Sequence, residues 1–461
     1  MNSYGEQVTA PLAAVDRRTL LSRDFVLTSL GTFSLIFLTA FESLAVTTVM
    51  PGISRELDGQ ALYAVSFAAP LATGIVGMVA AGLWSDRRGP VRPLIGTVVL
   101  FMLGLLVCGV APSMEVLVLG RLLQGLGGGG SIVAVYVLVG VVYPARLQPR
   151  VFAGFAAAWV LPSLFGPSVA ALIADRYGWQ WVFLTAVALA AVALVMCVPS
   201  LRSLPAQVAR GSGGGRAALA WSALAAVGVL ALDLSSRAGW ASLFVGLAAG
   251  AVIVVAVRPL VPVGTLQAAR GLPSTVLTRG ALSASFVTAE AYLPFVLQDH
   301  WDYSPGQAGI ALSVAGISWA TASQVQGRLG ERLRDTRAMV LGANLALVGL
   351  VTIVVTTFGH WSSLLLIAGF GVLAVGMGLG FARTTVAMLS ASSNEDRGFN
   401  SSALSIADSL AAAVAVTIAG LAFAASESTG FGDPFGAVFV VGLVSVLLAV
   451  AAARRTSLTA T

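Results

Sequence analysis

Long runs of apolar residues, separated by short polar stretches, occupy almost the whole chain from residue 25 onward. Each run is about 18 to 26 residues long, enough for a helix to cross the roughly 30 Å of hydrocarbon in a membrane. The pattern therefore predicts an all-α membrane protein with fourteen transmembrane helices. The predicted spans are 25–50, 62–83, 93–112, 115–139, 151–174, 180–199, 217–235, 239–257, 275–297, 306–326, 338–358, 361–382, 399–424 and 435–453.

The composition agrees with a chain that lives in lipid. Hydrophobic residues make up 57% and charged residues only 10%, whereas an average soluble domain has roughly 25% charged residues. So few charges cannot cover a surface that faces water. The apolar run after Arg23 exceeds the 7 to 15 residues of a signal-peptide core, so we expect it to be the first span.

The basic residues predict the orientation of the spans. All 26 are arginines, and 22 of them fall on one side if the N-terminus is cytoplasmic, as the positive-inside rule requires. Both termini are therefore expected in the cytoplasm. The net charge of +6 is then a signal of topology, and no nucleic-acid partner is expected. Without lysine there is no Walker A loop, so uphill transport must use an ion gradient or a partner protein.

Two sequence matches at nearly the same offset indicate an internal repeat. Gly82, Leu83 and Asp86-Arg87 resemble Gly327, Leu329 and Glu331-Arg332, an offset of 245, and the loop at Arg150 resembles the loop at Arg397, an offset of 247. Such matches predict a duplicated six-helix unit. The expected organisation is a cytoplasmic segment (1–24), a six-helix bundle (25–200), a linker with two extra spans (201–274), a second bundle (275–454) and a cytoplasmic tail (455–461).

Four ionisable residues stand out deep within the predicted spans. They are Glu42, Arg121, Glu290 and Asp408. A charge at the centre of a membrane helix costs about 2.5–3.5 kcal/mol or more, so such residues are candidates for function. The first three lie roughly 10–13 Å from the outer ends of their helices by helix rise. We expect them to cluster in a central cavity and to carry protons. The alternative is a structural polar lock that never titrates.

Four motifs resemble those of the major facilitator superfamily. They are the loop from Gly82 to Gly89, the fourth-span set Leu117, Arg121, Gln124, Gly125 and Gly127, the fifth-span set Gly154, Pro162, Gly166 and Pro167, and the first-span pair Glu42 and Pro51. The resemblance is to the branch of fourteen-span drug:proton antiporters. The family usually has Asp at the position of Glu42 and a Gly pair at that of Ala170 and Ala171. The resemblance implies two six-helix repeats plus two extra helices, and antiport.

The resemblance also implies two sets of moving parts. Gly82, Asp86, Arg87, Gly89, Glu331 and Arg332 would form a cytoplasmic gate. Asp86 would pair across helices, against the positive N-terminal end of the thirteenth span. The alternative is that these charges only set the topology. Pro162, Gly166 and Pro167 weaken the fifth helix, which then either bends during transport or carries a static kink.

Aromatic and amide side chains are the candidates for substrate binding. They are Gln124, Trp159, Phe286, Tyr292, Trp319 and Asn344. The alternative for each is a packing role against lipid or a neighbouring helix. A broad apolar wall with carboxylates would suit lipophilic cations. The run Gly125–Gly130 contains a formal GxGxxG, but it lies inside an apolar helix and predicts close helix packing instead of nucleotide binding.

The function expected from these features is export of small amphipathic molecules in exchange for protons. An arginine-only basic complement suggests a bacterial coding sequence and hence the inner membrane; a monomer without cofactor or metal is expected. Export of an endogenous lipid or metabolite is the alternative within transport. A non-transporting receptor would not need intramembrane charges. An intramembrane enzyme is disfavoured because His300 and His360, the two histidines, fall in predicted outer loops.

Overall fold

The computed structural model describes residues 20, 22, 25–144, 147–203, 215–235, 242–329, 332–393, 396–430 and 432–457. In these ranges the chain has no strand, and fourteen of its helices are long and apolar enough to cross a membrane. The predicted all-α fold with fourteen spans is confirmed.

The described part of the chain folds into fourteen long helices. Three short 3-10 turns, at Gln60–Leu62, Arg258–Leu260 and Thr265–Gln267, lie in the connections. The helices are α1 (Val26–Glu56), α2 (Tyr63–Arg88), α3 (Val91–Gly109), α4 (Met114–Val142), α5 (Gln148–Tyr177), α6 (Gln180–Ser203), α7 (Gly215–Leu234), α8 (Ser242–Val257), α9 (Leu272–His300), α10 (Pro305–Leu329), α11 (Asp335–Phe358), α12 (Ser363–Ala391), α13 (Arg397–Thr429) and α14 (Pro434–Ala453).

Several helices extend past the predicted spans. Helix α1 continues past the predicted end of the first span at residue 50, through Pro51 to Glu56. A proline inside a membrane helix is tolerated where neighbouring groups satisfy the freed carbonyl. Helix α2 continues to Arg88, so Asp86 lies in its last turn and not in a loop. The chain then turns at Gly89, whose φ of 70° is readily adopted by glycine.

The two six-helix bundles use the same packing scheme. In the first, α1 packs on α5 and α6, and α4 packs on α2 and α3; in the second, α9 packs on α13 and α14, and α12 packs on α10 and α11. The contact between α3 and α6 likewise has its counterpart between α11 and α14. Shifting every helix number by eight therefore converts one scheme into the other, as expected of a duplicated unit.

Glycines allow the closest helix contacts within each bundle. A Cβ added to Gly120 would lie 2.6 Å from the Cys108 sulfur, and one added to Gly342 would lie 2.6 Å from the carbonyl oxygen of Gly376. The run Gly125–Gly130 lies inside α4 and faces α2 and α3 in the same way. Its role is packing, since no side chain fits between the helices there.

The bundles meet along a seam formed by α2 with α13 and by α5 with α10. The hairpin of α7 and α8 lies beside the seam, because α7 packs on both α2 and α13.

Among the described residues, hydrogen bonds across the seam occur only at one end, where α1 ends and α2 begins, which we term the closed end. There Arg55 Nη2 donates to Gln298 Oε1 at 2.7 Å, and the Tyr63 hydroxyl donates to the Ala291 carbonyl at 2.6 Å. The Tyr63 ring also contacts the rings of Tyr292 and Phe295, with centroids 5.1 and 5.0 Å away. At the opposite end, where α2 ends, no hydrogen bond or ring contact joins the two bundles among the described residues.

Candidate functional site

A buried ion pair joins α1 and α4. Arg121 Nη1 donates to Glu42 Oε1 and to Gln124 Oε1, the latter at 2.8 Å, while Arg121 Nε donates to the Ser66 carbonyl of α2 at 3.0 Å. The side chains of Arg121 and Glu42 are only 5% and 8% exposed. A buried pair is stable only if its remaining polar atoms are also satisfied, and here one guanidinium links three helices. We call these four residues the first polar centre.

Helix geometry explains how the first polar centre is assembled. Arg121 and Gln124 are three residues apart on α4 and therefore share one face. The adjacent Gly120 has no side chain, so α3 can approach closely on the other side. The side-chain nitrogen of Gln124 is buried and has no hydrogen-bond partner among the described residues.

A second ion pair joins α9 and α13 in the other bundle. Arg279 donates from Nη2 and Nε to Asp408 Oδ2 at 3.1 and 3.3 Å. Its Nη1 donates to the Phe381 carbonyl at 3.1 Å and to the hydroxyls of Thr384 and Thr385 at 3.3 Å each. The guanidinium carbon also lies 3.2 Å from the centroid of the Phe381 ring, a cation–π geometry. We call these five residues the second polar centre.

The second polar centre is more accessible than the first and faces the seam. The side chains of Arg279 and Asp408 are 15% and 24% exposed. Tyr136, on α4 of the other bundle, lies close enough to Arg279 to interact with it electrostatically and is itself half-exposed. Sequence reasoning assigned Arg279 to a cytoplasmic segment. Its position inside the predicted span 275–297 could have identified it as a charge within the membrane.

Aromatic rings extend from the second polar centre through its bundle. Trp319 contacts Phe381 at 5.3 Å and Phe286 at 5.0 Å between centroids, and Phe286 stacks on Phe370 at 5.5 Å. Two of the predicted substrate residues, Phe286 and Trp319, therefore lie in one aromatic cluster next to Arg279.

The other four predicted substrate residues lie elsewhere. Gln124 is buried in the first polar centre, and Tyr292 is buried at the closed end against Tyr63. Asn344 donates to its own helix at Val340, on α11, which packs on α12 and α14. Trp159, on α5, is 46% exposed. The six candidates therefore do not share one surface, because residue type and span do not specify the helix face, and their role in substrate binding stays a prediction.

The four predicted charges do not form one cluster either. Glu42 pairs with Arg121, and Asp408 pairs with Arg279. Glu290 is half-buried on α9, and the described residues give it no hydrogen bond or ion pair. Equal depth in the membrane does not bring side chains on different helix faces together, and proton coupling by these four residues stays a prediction.

The predicted gate residues are not engaged with one another. Asp86 and Arg87 are exposed in the last turn of α2, where no described residue forms an ion pair with either. Gly82 is half-buried and Gly89 is buried at the helix end. Arg332 is exposed, and Glu331 lies outside the described residues. The expected contact of Asp86 with the start of α13 is therefore not made in this conformation.

An ion pair that sequence reasoning missed lies at the same end of the second bundle. Arg383 Nη1 donates to Asp335 Oδ1 at 2.9 Å, and Nη2 approaches the Gln326 carbonyl at 3.4 Å. These contacts link α10, α11 and α12. The signal in the sequence was weak, since Arg383 directly follows the predicted span 361–382.

The proline segment of α5 lies at the seam. The helix is continuous through Pro162 and Pro167. A Cβ on Gly309 of α10 would lie 3.1 Å from the Pro167 carbonyl oxygen, and one on Gly316 would lie 3.0 Å from the Ser163 carbonyl oxygen. Gly166 faces Phe41 of α1 at 3.4 Å, measured from its added Cβ. The segment is thus placed where one bundle would slide or pivot on the other.

Sequence comparisons point to transporters. The profile described as Major Facilitator Superfamily matches residues 32–415. A probable multidrug-efflux transporter of Mycobacterium tuberculosis is 28% identical over 385 residues, which cover 77% of this chain and 79% of that protein. The multidrug transporter MdtP of Bacillus subtilis is 24% identical over 419 residues, covering 88% and 75%. An uncharacterized transporter of Schizosaccharomyces pombe is 30% identical over 171 residues, which span only 29% of its length.

Solved structures show the same fold at low identity. A POT family transporter in complex with 5-aminolevulinic acid superposes with a TM-score of 0.69 at 14% identity, over 92% of this chain and 95% of that one. A D-xylose–proton symporter superposes with a TM-score of 0.64 at 14% identity, over 92% and 96%. At this identity the likeness concerns the fold alone.

Proposed function

The chain belongs to the major facilitator superfamily, and from this premise we propose that it is a proton-coupled antiporter that exports small amphipathic or lipophilic compounds across the cytoplasmic membrane of a bacterium. Efflux transporters among its relatives support export. The single observation that carries proton coupling is the first polar centre, in which Glu42 and Arg121 from separate helices pair while buried.

The proposed coupling depends on competition between a proton and Arg121 for Glu42. A guanidinium beside a carboxylate favours its ionised form, whereas an isolated carboxylate in an apolar site favours the protonated form. If α1 moves away from α4 during transport, Glu42 loses its partner and takes up a proton. Restoring the pair expels that proton. Access from alternate sides of the membrane would then tie proton entry to substrate exit.

The available energy is sufficient for export. One elementary charge that crosses 100 mV yields about 2.3 kcal/mol. At about 1.4 kcal/mol per tenfold change in concentration, this supports a gradient of about fifty-fold per proton for an uncharged substrate. A pH difference across the membrane would add to it. Exchange of one proton for a monovalent cation moves no net charge and is driven by the pH difference.

The arginine distribution assigns the opposite end to the cytoplasm in this proposal. The conformation is then inward-facing, because the bonds across the seam lie at the closed end. Asp86 would find its partner at α13 when the opposite end closes. The segment of Pro162, Gly166 and Pro167 would bend as α5 moves on α10.

The second polar centre and its aromatic cluster would form part of the substrate site. Phe286, Trp319 and Phe381 offer an apolar wall, and Asp408 would attract a lipophilic cation. Arg279, partly exposed at the seam, favours the second candidate, which is an endogenous lipid or metabolite with an anionic group.

Transport by purified protein in proteoliposomes tests the proposal. Under an imposed pH gradient, wild-type protein should move a lipophilic cationic dye against its gradient while a trapped pH indicator reports protons moving the other way. Glu42→Gln should abolish both fluxes, since it cannot ionise. Glu56→Gln is the matched control, because Glu56 is an exposed carboxylate at the end of the same helix, and it should retain both.

The outcomes separate the candidates. Dye movement that ignores the pH gradient in the wild type would refute proton coupling, as would normal exchange by Glu42→Gln. Proton-coupled movement of an anionic lipid, with none of the dye, would select the second candidate.

A further inference from the structure

Two histidines and an aspartate that are far apart in sequence meet at the closed end. His300 is the last residue of α9, His360 lies between α11 and α12, and Asp433 directly precedes α14. The Nε2 atoms of His300 and His360 lie 3.4 and 3.5 Å from the same oxygen, Asp433 Oδ2. Their ring centroids are 4.7 Å apart. The sequence predicted no metal site, because 60 residues separate the histidines.

The spacing fits the coordination shell of a small transition-metal ion. Zinc binds histidine nitrogen and carboxylate oxygen at about 2.0–2.2 Å in a tetrahedron, in which neighbouring ligand atoms are about 3.3–3.5 Å apart. The two nitrogen–oxygen distances match this separation. One ligand atom from each of the three residues lies within 4.8 Å of the others. Three protein ligands leave a fourth position for water.

Neighbouring groups hold the three residues in place. Asp433 Oδ1 accepts from the Gly436 amide at 2.9 Å, which leaves Oδ2 facing the histidines. The Trp301 indole donates to the Trp361 carbonyl at 3.1 Å and ties the loop of His360 to the end of α9. His360 has a φ of 47°, a left-handed conformation that histidine adopts more readily than most residues. Ligands fixed by such outer contacts bind metal more tightly.

The surroundings allow a cation to enter and favour its charge. His360 is 62% exposed, whereas the side chains of His300 and Asp433 are 12% and 10% exposed. His300 also borders a cavity of about 200 Å³ whose lining includes Asp299, Glu427 and Arg55. With neutral histidines the three residues carry one negative charge, and the cavity adds two carboxylates and one guanidinium.

We propose that His300, His360 and Asp433 bind a divalent transition-metal ion of the zinc class. Two imidazoles and one carboxylate suit Zn²⁺, Co²⁺, Ni²⁺ or Cu²⁺, whereas Mg²⁺ and Ca²⁺ prefer oxygen ligands. By binding one ligand from each, the ion links α9, the α11–α12 loop and the start of α14. Because Gln298 precedes His300 by two residues and accepts from Arg55 across the seam, the ion also steadies the closed end. This site is independent of the proposed transport activity.

Metal binding by purified full-length protein without an affinity tag tests the site. Co²⁺ should bind with one-to-one stoichiometry, give the visible absorption bands of a low-coordinate site, and be displaced by Zn²⁺. Binding should weaken as the solution is acidified, because protons compete with the metal ion for the imidazole nitrogens. Thermal unfolding should move to a higher temperature with Zn²⁺.

Matched variants assign the ligands. His360→Asn keeps a residue that tolerates positive φ, and Asp433→Asn keeps the helix cap; each should weaken binding at least about tenfold. Asp302→Asn is the control, because Asp302 is an exposed carboxylate at the same end with a φ of 51°, and it should bind like the wild type. Absence of saturable binding, or equal binding by His360→Asn, would overturn the proposal and leave a histidine–aspartate ion pair only.

Discussion

The two polar centres occupy a duplicated scaffold but are built in different ways. In the first, the carboxylate lies on α1 and the arginine on α4; in the second, the arginine lies on α9, which corresponds to α1, and the carboxylate lies on α13, which corresponds to α5. The first pair is 5% and 8% exposed, and the second is 15% and 24% exposed. Duplication preserved the helix packing but not the positions of the charges.

This difference separates two tasks. A sealed pair has a strong electrostatic interaction because little water screens it, so breaking it requires a large movement or a proton. A pair that faces the seam and a wall of aromatic rings is in reach of molecules that enter there. In the proposed function the first centre therefore handles protons and the second contacts the substrate.

The largest effect is expected from Arg121→Ala, which leaves Glu42 buried without its partner. Removing one member of a buried pair costs about 3–5 kcal/mol, so the unfolding transition in detergent should fall markedly and transport should be lost. The double variant Arg121→Ala/Glu42→Gln should recover part of the stability, because the uncompensated charge is gone. Arg176→Ala, at an exposed helix end outside the proposed gate, is the control. A wild-type melting profile for Arg121→Ala would contradict the sealed pair.

A smaller effect is expected from Arg279→Ala. Asp408 is partly exposed and can be solvated, so we expect a loss of about 1–3 kcal/mol, as for a buried acceptor that loses its donor. The same denaturation measurement compares it directly with Arg121→Ala. Arg279→Lys keeps the charge but loses the planar stacking on Phe381, and it should alter substrate preference while leaving proton movement intact. Equal destabilisation by the two alanine variants would remove the distinction between the centres.

The smallest effect is expected from Tyr63→Phe, which tests how much the closed end depends on its hydrogen bonds across the seam. The variant keeps the ring contacts with Tyr292 and Phe295 but loses the hydrogen bond to Ala291 across the seam. The expected loss is about 0.5–1.5 kcal/mol, with faster amide exchange in the last turns of α9. Tyr136→Phe is the matched control, since Tyr136 makes no hydrogen bond among the described residues. No change in exchange would mean that the Tyr63 hydrogen bond does not help to hold the seam closed.

The motif resemblance pointed to Glu42 and Arg121, which pair with each other. The search for charges inside the predicted spans pointed to Asp408, but its partner Arg279 was not anticipated. Arg279 escaped because it was counted with the cytoplasmic arginines, although it lies inside a predicted span. Ser66 contributes a backbone carbonyl, which no side-chain pattern announces. The predicted contact between Asp86 and α13 is not formed among the described residues. A sequence pattern does not specify in which conformation of the two bundles such a contact would form.

The sequence alone determined the fourteen helices, because hydrocarbon thickness and helix rise set the same length for every span. The two sequence matches at nearly the same offset were sufficient to predict the duplicated unit. Only the tertiary structure decided which charges meet, that Glu290 stays outside both pairs, and that His300, His360 and Asp433 come together. Contacts between helices depend on rotation about each helix axis and on which bundle ends approach. Burying a whole apolar helix in lipid gives nearly the same free energy at any rotation about its axis. The hydrophobic pattern therefore does not reveal which face of the helix contacts its neighbours.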